Sequence, residues 1–190
     1  CVANTGVREA TNVKQAPYSC TGDGVADDTA CVTAALAAAV ASTGKLLYFP
    51  AGSYLIDSGT LTTSTNGLII EGDGPNRSII ISRNNTTALI VIDATSVNPH
   101  SITIRDLTLQ GFGSGSNNHG IYSSGSNSPF NMQIKNLRID NFTGRGIYDT
   151  AGWFQSRIEN VVISMNSSGS NAFDLLGAND LLLQNNYVTT

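Results

Sequence analysis

Four segments of the chain, "ITIRDLTL", "MQIKNLRI", "SRIENVVI" and "LLLQNNYV", align so that Ile104, Ile134, Ile158 and Leu183 share one position. Two residues later each has an Asp or Asn: Asp106, Asn136, Asn160 and Asn185. The spacings are 30, 24 and 25 residues. A second register runs through "HGIYSS", "RGIYDT" and "NAFDLL", placing His119, Arg145 and Asn171 at intervals of 26, with Ile121, Ile147 and Phe173 two positions on. Two phases sharing one period restrict the fold severely. One repeat is too short to bury its own apolar face, so successive repeats must stack and bury a common column.

The segments within each repeat are short β-type runs separated by Gly, Ser, Asn and Pro clusters, with no room for an intervening helix. This predicts a parallel β-solenoid of about three strands per coil. The recurring Asp or Asn after an inward Ile or Leu has a structural cause: such side chains tolerate left-handed backbone at a bend and bond neighbouring backbone. Stacked coil on coil, they form an amide ladder. The one helix predicted spans roughly Thr29 to Ser42, where Val32, Ala35, Leu36, Ala39 and Val40 form a single apolar stripe. Gly44 is read as its stop.

At 190 residues and 41% hydrophobic content the chain is long enough to bury a core, and its 19 glycines with only 13% charged residues suit many strands joined by tight turns. A net charge of -4 and a pI near 4.9 give no basic footprint for nucleic acid or an anionic membrane surface. No run approaches the roughly 20 apolar residues of a membrane span. Three cysteines, Cys1, Cys20 and Cys31, leave one without an intrachain partner; a disulfide among them and small buried thiols are both open readings. Cys1 with no preceding Met fits a mature secreted chain or a trimmed one, and five Asn-x-Ser/Thr sequons (Asn76, Asn84, Asn85, Asn141, Asn166) are glycan acceptors only in a eukaryotic secretory pathway.

The segments "GDGVADDTACVTAALAAA", "LLYFPAGSYLI" and "GLIIEGDGPNRSII" occur in this order between Gly22 and Ile80. Together they resemble the opening module of the pectate-lyase-like superfamily, whose members include polygalacturonase-like hydrolases, exo-β-1,3-glucanases and phage tailspikes. The resemblance implies an all-β, right-handed single-stranded parallel β-helix with an N-terminal capping α-helix, "YFPAGSY" forming the first coil. The division expected is residues 1–44 as N-terminal segment and capping helix, and 45–190 as β-helix coils incomplete at the C-terminus. The superfamily contains lyases, hydrolases, epimerases and non-catalytic adhesins, most of which hold a polysaccharide along the outside of the helix. The expectation is therefore a secreted or cell- or virion-surface carbohydrate-active domain with no cofactor; the alternative is a tailspike-like or self-assembling surface module. Because Thr190 falls inside the fourth copy of the repeat, further coils or a homo-oligomeric partner are expected over that end.

Candidate chemistry lies on the later coils. Glycoside hydrolysis needs two carboxylates about 5 to 9.5 Å apart, and coils stack about 4.8 Å apart. Asp149 and Asp174 are the leading catalytic pair, with Asp180, Asp140 and Glu159 behind them. Tyr122, Tyr148 and Asp174 stack in one register and point outward if Ile121, Ile147 and Phe173 point inward, giving a sugar platform. Arg145 and His119 share a register and suit a uronate-directed reaction, in which a base takes a proton beside a carboxylate that a cation neutralises. Trp153, the only tryptophan, suits either sugar stacking or the plug of a turn. After Asp28 no "DD" or "DPH" occurs, the patterns of polygalacturonases and mannuronan epimerases, and "NPH" at Asn98 to His100 lacks the carboxylate. No calcium loop or zinc spacing is present, so no metal is expected. Asp23, Asp27 and Asp28 are read as turn and helix-capping groups rather than as an active site.

Overall fold

The computed structural model describes residues 9–84, 87–112, 118–165 and 171–189. The chain winds as a parallel β-solenoid of about six turns. The first coil holds β1 (Ala10–Asn12) and β2 (Asp23–Asp27), and α1 (Thr29–Ala41) follows it. The second holds β3 (Leu46–Phe49), β4 (Gly52–Ser58) and β5 (Leu61–Thr63); the third β6 (Ile69–Gly72), β7 (Ser78–Asn84) and β8 (Ala88–Asp93). From the fourth coil one long strand replaces the first two of each turn: β9 (Thr103–Gly111) with β10 (His119–Ser124), β11 (Gln133–Asp140) with β12 (Ile147–Asp149), and β13 (Arg157–Ser164) with β14 (Phe173–Leu175). The strands β15 (Leu182–Gln184) and β16 (Tyr187–Thr189) begin another turn. Three parallel faces result. The first runs through β1, β3, β6, the leading halves of β9, β11 and β13, and β15; the second through β2, β4, β7, the trailing halves and β16; the third through β5, β8, β10, β12 and β14.

Both repeat registers are borne out. Ile104 pairs with Ile134, Ile134 with Ile158, and Ile158 with Leu183. Ile121 pairs with Ile147, and Ile147 with Phe173. Side chains alternate along each strand, so Ile104, Ile134 and Ile158 stack in the interior with no exposure, as do Ile121 and Ile147. The Asp/Asn column marks the bend between the first and second faces: Asp106, Asn136, Asn160 and Asn185 all have φ between 49° and 58°. This is the left-handed region that Asn and Asp tolerate best among residues with a Cβ. The Asn136 amide donates to Asp106 at 2.6 Å, a rung of the expected ladder.

The helix buries Val32, Ala35, Leu36 and Ala39 against β1, β3 and β4, covering the first coils. It ends at Ser42, whose N–H donates to the Ala38 and Ala39 carbonyls. Gly44 is not the stop. It lets the chain pass the Glu9 backbone, whose carbonyl oxygen would lie 2.3 Å from a Cβ at this position. The N-terminal segment is itself part of the solenoid: β1 pairs with β3, and β2 with β4, so "YFPAGSY" lies in the second coil and not the first. The three N-terminal carboxylates all serve backbone amides. Asp23 accepts from Val25 and Ala26, Asp27 accepts from Thr29 at the helix start, and Asp28, buried and making no cap bond, folds back to accept from Thr21 and Gly22. A Cys20–Cys31 disulfide ties the same turn to the helix. Cys1 and the sequons at Asn85 and Asn166 lie outside the described residues.

Candidate functional site

The strands β10, β12 and β14 present their outward residues on the third face in a single column. Tyr122 pairs with Tyr148, and Tyr148 with Asp174. Coil spacing places the two tyrosine rings 5.0 Å apart and nearly parallel, at 13°. Arg145 lies two residues before β12 and lays its guanidinium over the Tyr148 ring, 4.2 Å from the centroid, while its Nε donates to Asp174 at 2.5 Å. The ring faces are thus occupied by one another and by a cation. What the column offers to a ligand is its outer edge: two phenol hydroxyls, a guanidinium rim and a carboxylate, all part-buried.

His119 is the floor of this group. It is 4% exposed, its ring centroid lies 4.9 Å from that of Tyr148 and 5.9 Å from that of Tyr122, and its Nδ1 accepts the Arg145 backbone N–H at 2.7 Å. Burial first, then the charge of Arg145, lowers its pKa to about 4, against a smaller opposing pull from Asp174. The ring is therefore neutral at ordinary pH, with its proton on Nε2. Gly144 makes room for it: a Cβ there would lie 2.4 Å from His119 Nδ1.

Two expectations are corrected. Asp149 does not present a carboxylate to solvent. It neighbours the outward Tyr148, so alternation turns it inward; it is fully buried and accepts the backbone N–H groups of Ala151, Gly152 and Trp153. Burial raises its pKa against the lowering pull of those amides. It holds the turn after β12, and with Asp174 it does not form an exposed pair. Trp153 is also fully buried, so it is the plug of that turn and offers no face to a sugar. Asp180 lies in another part of the coil, exposed beside Gln155, and Asp140 sits on the second face beside Arg138. Glu159 points out from the first face toward Lys135. His119 opens β10, and its place beneath the tyrosines was legible only as shared register with Arg145. Among the described residues, Cys20, Asp28 and Cys31 are the one group at metal-ligand spacing, and the two sulfurs are already joined to each other.

Fold and site together define a parallel β-solenoid that carries a stacked, hydroxyl- and charge-edged column on one outer face. Residues 10–187 match the family described as rhamnogalacturonase A/epimerase, pectate lyase-like, and the chain belongs to that carbohydrate-active β-helix family. No curated protein matches the chain in sequence. Among solved structures, the A-module of a mannuronan C-5 epimerase from Azotobacter vinelandii is similar at a TM-score of 0.72 and 24% identity, over 92% of this chain and 50% of that one. The Dettilon tailspike protein is similar at 0.62 and 16%, over 93% and 37%. The surface adhesin PfbA of Streptococcus pneumoniae is similar at 0.59 and 16%, over 94% and 48%. At these identities the likeness is one of fold, and the chain spans about half the length of the mannuronan epimerase A-modules it matches.

Proposed function

We propose that this chain is a secreted or surface module that recognises a polysaccharide along its third face, with Tyr122, Tyr148, Arg145 and Asp174 as contact residues. The observation that carries this reading is the Tyr122–Tyr148–Arg145 stack. It gathers hydroxyls, a cation and a carboxylate on one rigid, part-exposed strip in a family of carbohydrate-active proteins. Sugar hydroxyls pair with such groups, and neighbouring coils repeat the spacing along the axis, as an extended polymer requires.

Of the chemistries open to the family, two-carboxylate hydrolysis finds least support here, because Asp149 faces the core and Asp174 is engaged by Arg145. A proton-abstraction reaction next to a uronate carboxylate fits the group better. The Nη groups of Arg145, whose Nε holds Asp174, neutralise that carboxylate, and a tyrosine oxygen that has given its own proton to solvent takes the C5 proton. The electron pair left at C5 either expels the C4 oxygen to leave an unsaturated end or is reprotonated from the opposite face, while neutral His119 holds Arg145 by its backbone. The purified chain is incubated with polygalacturonate, alginate and a β-1,3-glucan. Unsaturated ends are followed by ultraviolet absorbance, C5 inversion by NMR and reducing ends by a colorimetric assay. The reading predicts turnover of a uronate polymer that falls at least about a hundredfold in Arg145→Gln. Release of reducing ends from the glucan, unaffected by Arg145→Gln, would overturn it. Retention of a polymer with no turnover favours the adhesin-like alternative.

A further inference from the structure

A second aromatic column runs along the bend that joins the third face back to the first. His100, Phe130, Phe154 and Asn179 occupy equivalent places in four consecutive coils, linked by parallel bridges. The His100 and Phe130 rings stack at 4.7 Å and 26°, and Phe154 is 37% exposed. The next residue in each coil, Ser101, Asn131, Gln155 and Asp180, has φ between 49° and 57°, so the chain turns the same way four times and keeps the column in line. The inward position beside Phe154 is filled by Trp153, and Phe154 itself lies outside the buried core. Next to Phe154 in the chain, the surface is concave. A cavity of about 290 Å³ is lined by Gln155, Ser156, Arg157, Asp180 and Leu182. Arg157 is exposed and meets Glu159 at 3.7 Å. The Gln155 and Asp180 side chains, both exposed, have no hydrogen-bond partner among the described residues.

We infer that this corner is a second saccharide-binding strip, separate from the tyrosine column. The exposed Phe154 ring meets the C–H face of a sugar, Gln155 and Asp180 take its hydroxyls, and Arg157 contributes a donor at the rim. The pairing of an apolar face with a rim of donors and acceptors is the chemistry of a pyranose ring. A lipid or an apolar protein segment would call for a continuous apolar patch, and here the column ends in His100 and Asn179 and is flanked along its length by Ser101, Asn131, Gln155 and Asp180. The cavity lies at the small end of ligand-binding sizes, suited to one or two sugar residues.

Affinity electrophoresis of the whole chain through gels containing polygalacturonate, alginate or laminarin tests this, with circular dichroism and melting temperature confirming that each variant is folded. Phe154→Ala and Asp180→Ala are each expected to weaken retardation by at least one of these polymers about fivefold or more. Combination with Tyr148→Ala is expected to multiply the losses, because the two strips share no residue. If both corner variants match the wild type in every gel that retards it, the corner is not a binding strip, and a loss confined to Tyr148→Ala leaves the tyrosine reading standing alone. A loss in the corner variants with none in Tyr148→Ala keeps the corner and removes the tyrosine column. No retardation of the wild type in any gel overturns both.

Discussion

His119 shows how a single side chain ties the site to the stability of the coil. Its pKa of about 4 in the folded chain lies below the ordinary 6.5, so the unfolded chain takes up the proton first as pH falls. The histidine therefore leaves stability intact above pH 6.5, and stability is lost progressively between 6.5 and about 4, by an amount on the order of 3 kcal/mol. Denaturant melts at several pH values check this. In His119→Gln, whose side-chain oxygen still accepts the Arg145 N–H, the stability lost between pH 6.5 and 4 shrinks relative to the wild type. Asp149 is the counterpart, a carboxylate employed in structure. Replacing it with Ala strands the amides of Ala151, Gly152 and Trp153, at an expected cost of about 2 to 4 kcal/mol in chemical denaturation. Asp149→Asn, which keeps one acceptor oxygen, costs less. The inward turn of Asp149 follows from the same alternation that sends Tyr148 outward. The sequence carried that signal, but a carboxylate next to a surface tyrosine looks like surface until the strand register is applied strictly.

At the scale of the element, the bend between the first and second faces depends on residues that accept left-handed backbone. Asn136 has φ 49° and donates to Asp106. Asn136→Ala loses the bond and strains the bend, costing about 1 to 2 kcal/mol. Asn136→Gly loses only the bond and is expected to be the more stable of the two variants, the reverse of their order in most strand positions. Urea midpoints of the pair decide it. Both repeat registers were legible because an inward Ile and an Asp or Asn at the bend are required in every coil. The corner column of His100, Phe130 and Phe154 stands four residues before Ile104, Ile134 and Ile158 in the same register, but it was not legible as a column, since its members differ in type and spacing alone does not say which side of a bend a side chain takes.

For the whole molecule, the helix end is held by a crosslink that composition left open. The Cys20–Cys31 loop is 11 residues in sequence separation, and a loop of that size is worth about 3 kcal/mol through the unfolded chain. Cys20→Ser with Cys31→Ser is expected to lower stability by about that amount without changing the β-rich circular dichroism. Such a crosslink persists in an oxidising compartment. At the other end, Leu183 shares the inward column but is 50% exposed, and Tyr187 and Val188 are exposed beside it. On the third face, Tyr122 and Tyr148 stand on β10 and β12, each flanked by a strand on both sides, and Asp174 stands on β14, the last strand of that face; this is where recognition of a polysaccharide is proposed. The most direct test of that placement is the dissociation constant of the wild type and of Tyr122→Ala/Tyr148→Ala for whichever of polygalacturonate, alginate or laminarin the wild type binds. The double variant is expected to stay folded and to bind at least about tenfold more weakly, in line with about 1.4 kcal/mol or more of lost contact. An unchanged constant in a folded double variant would contradict it.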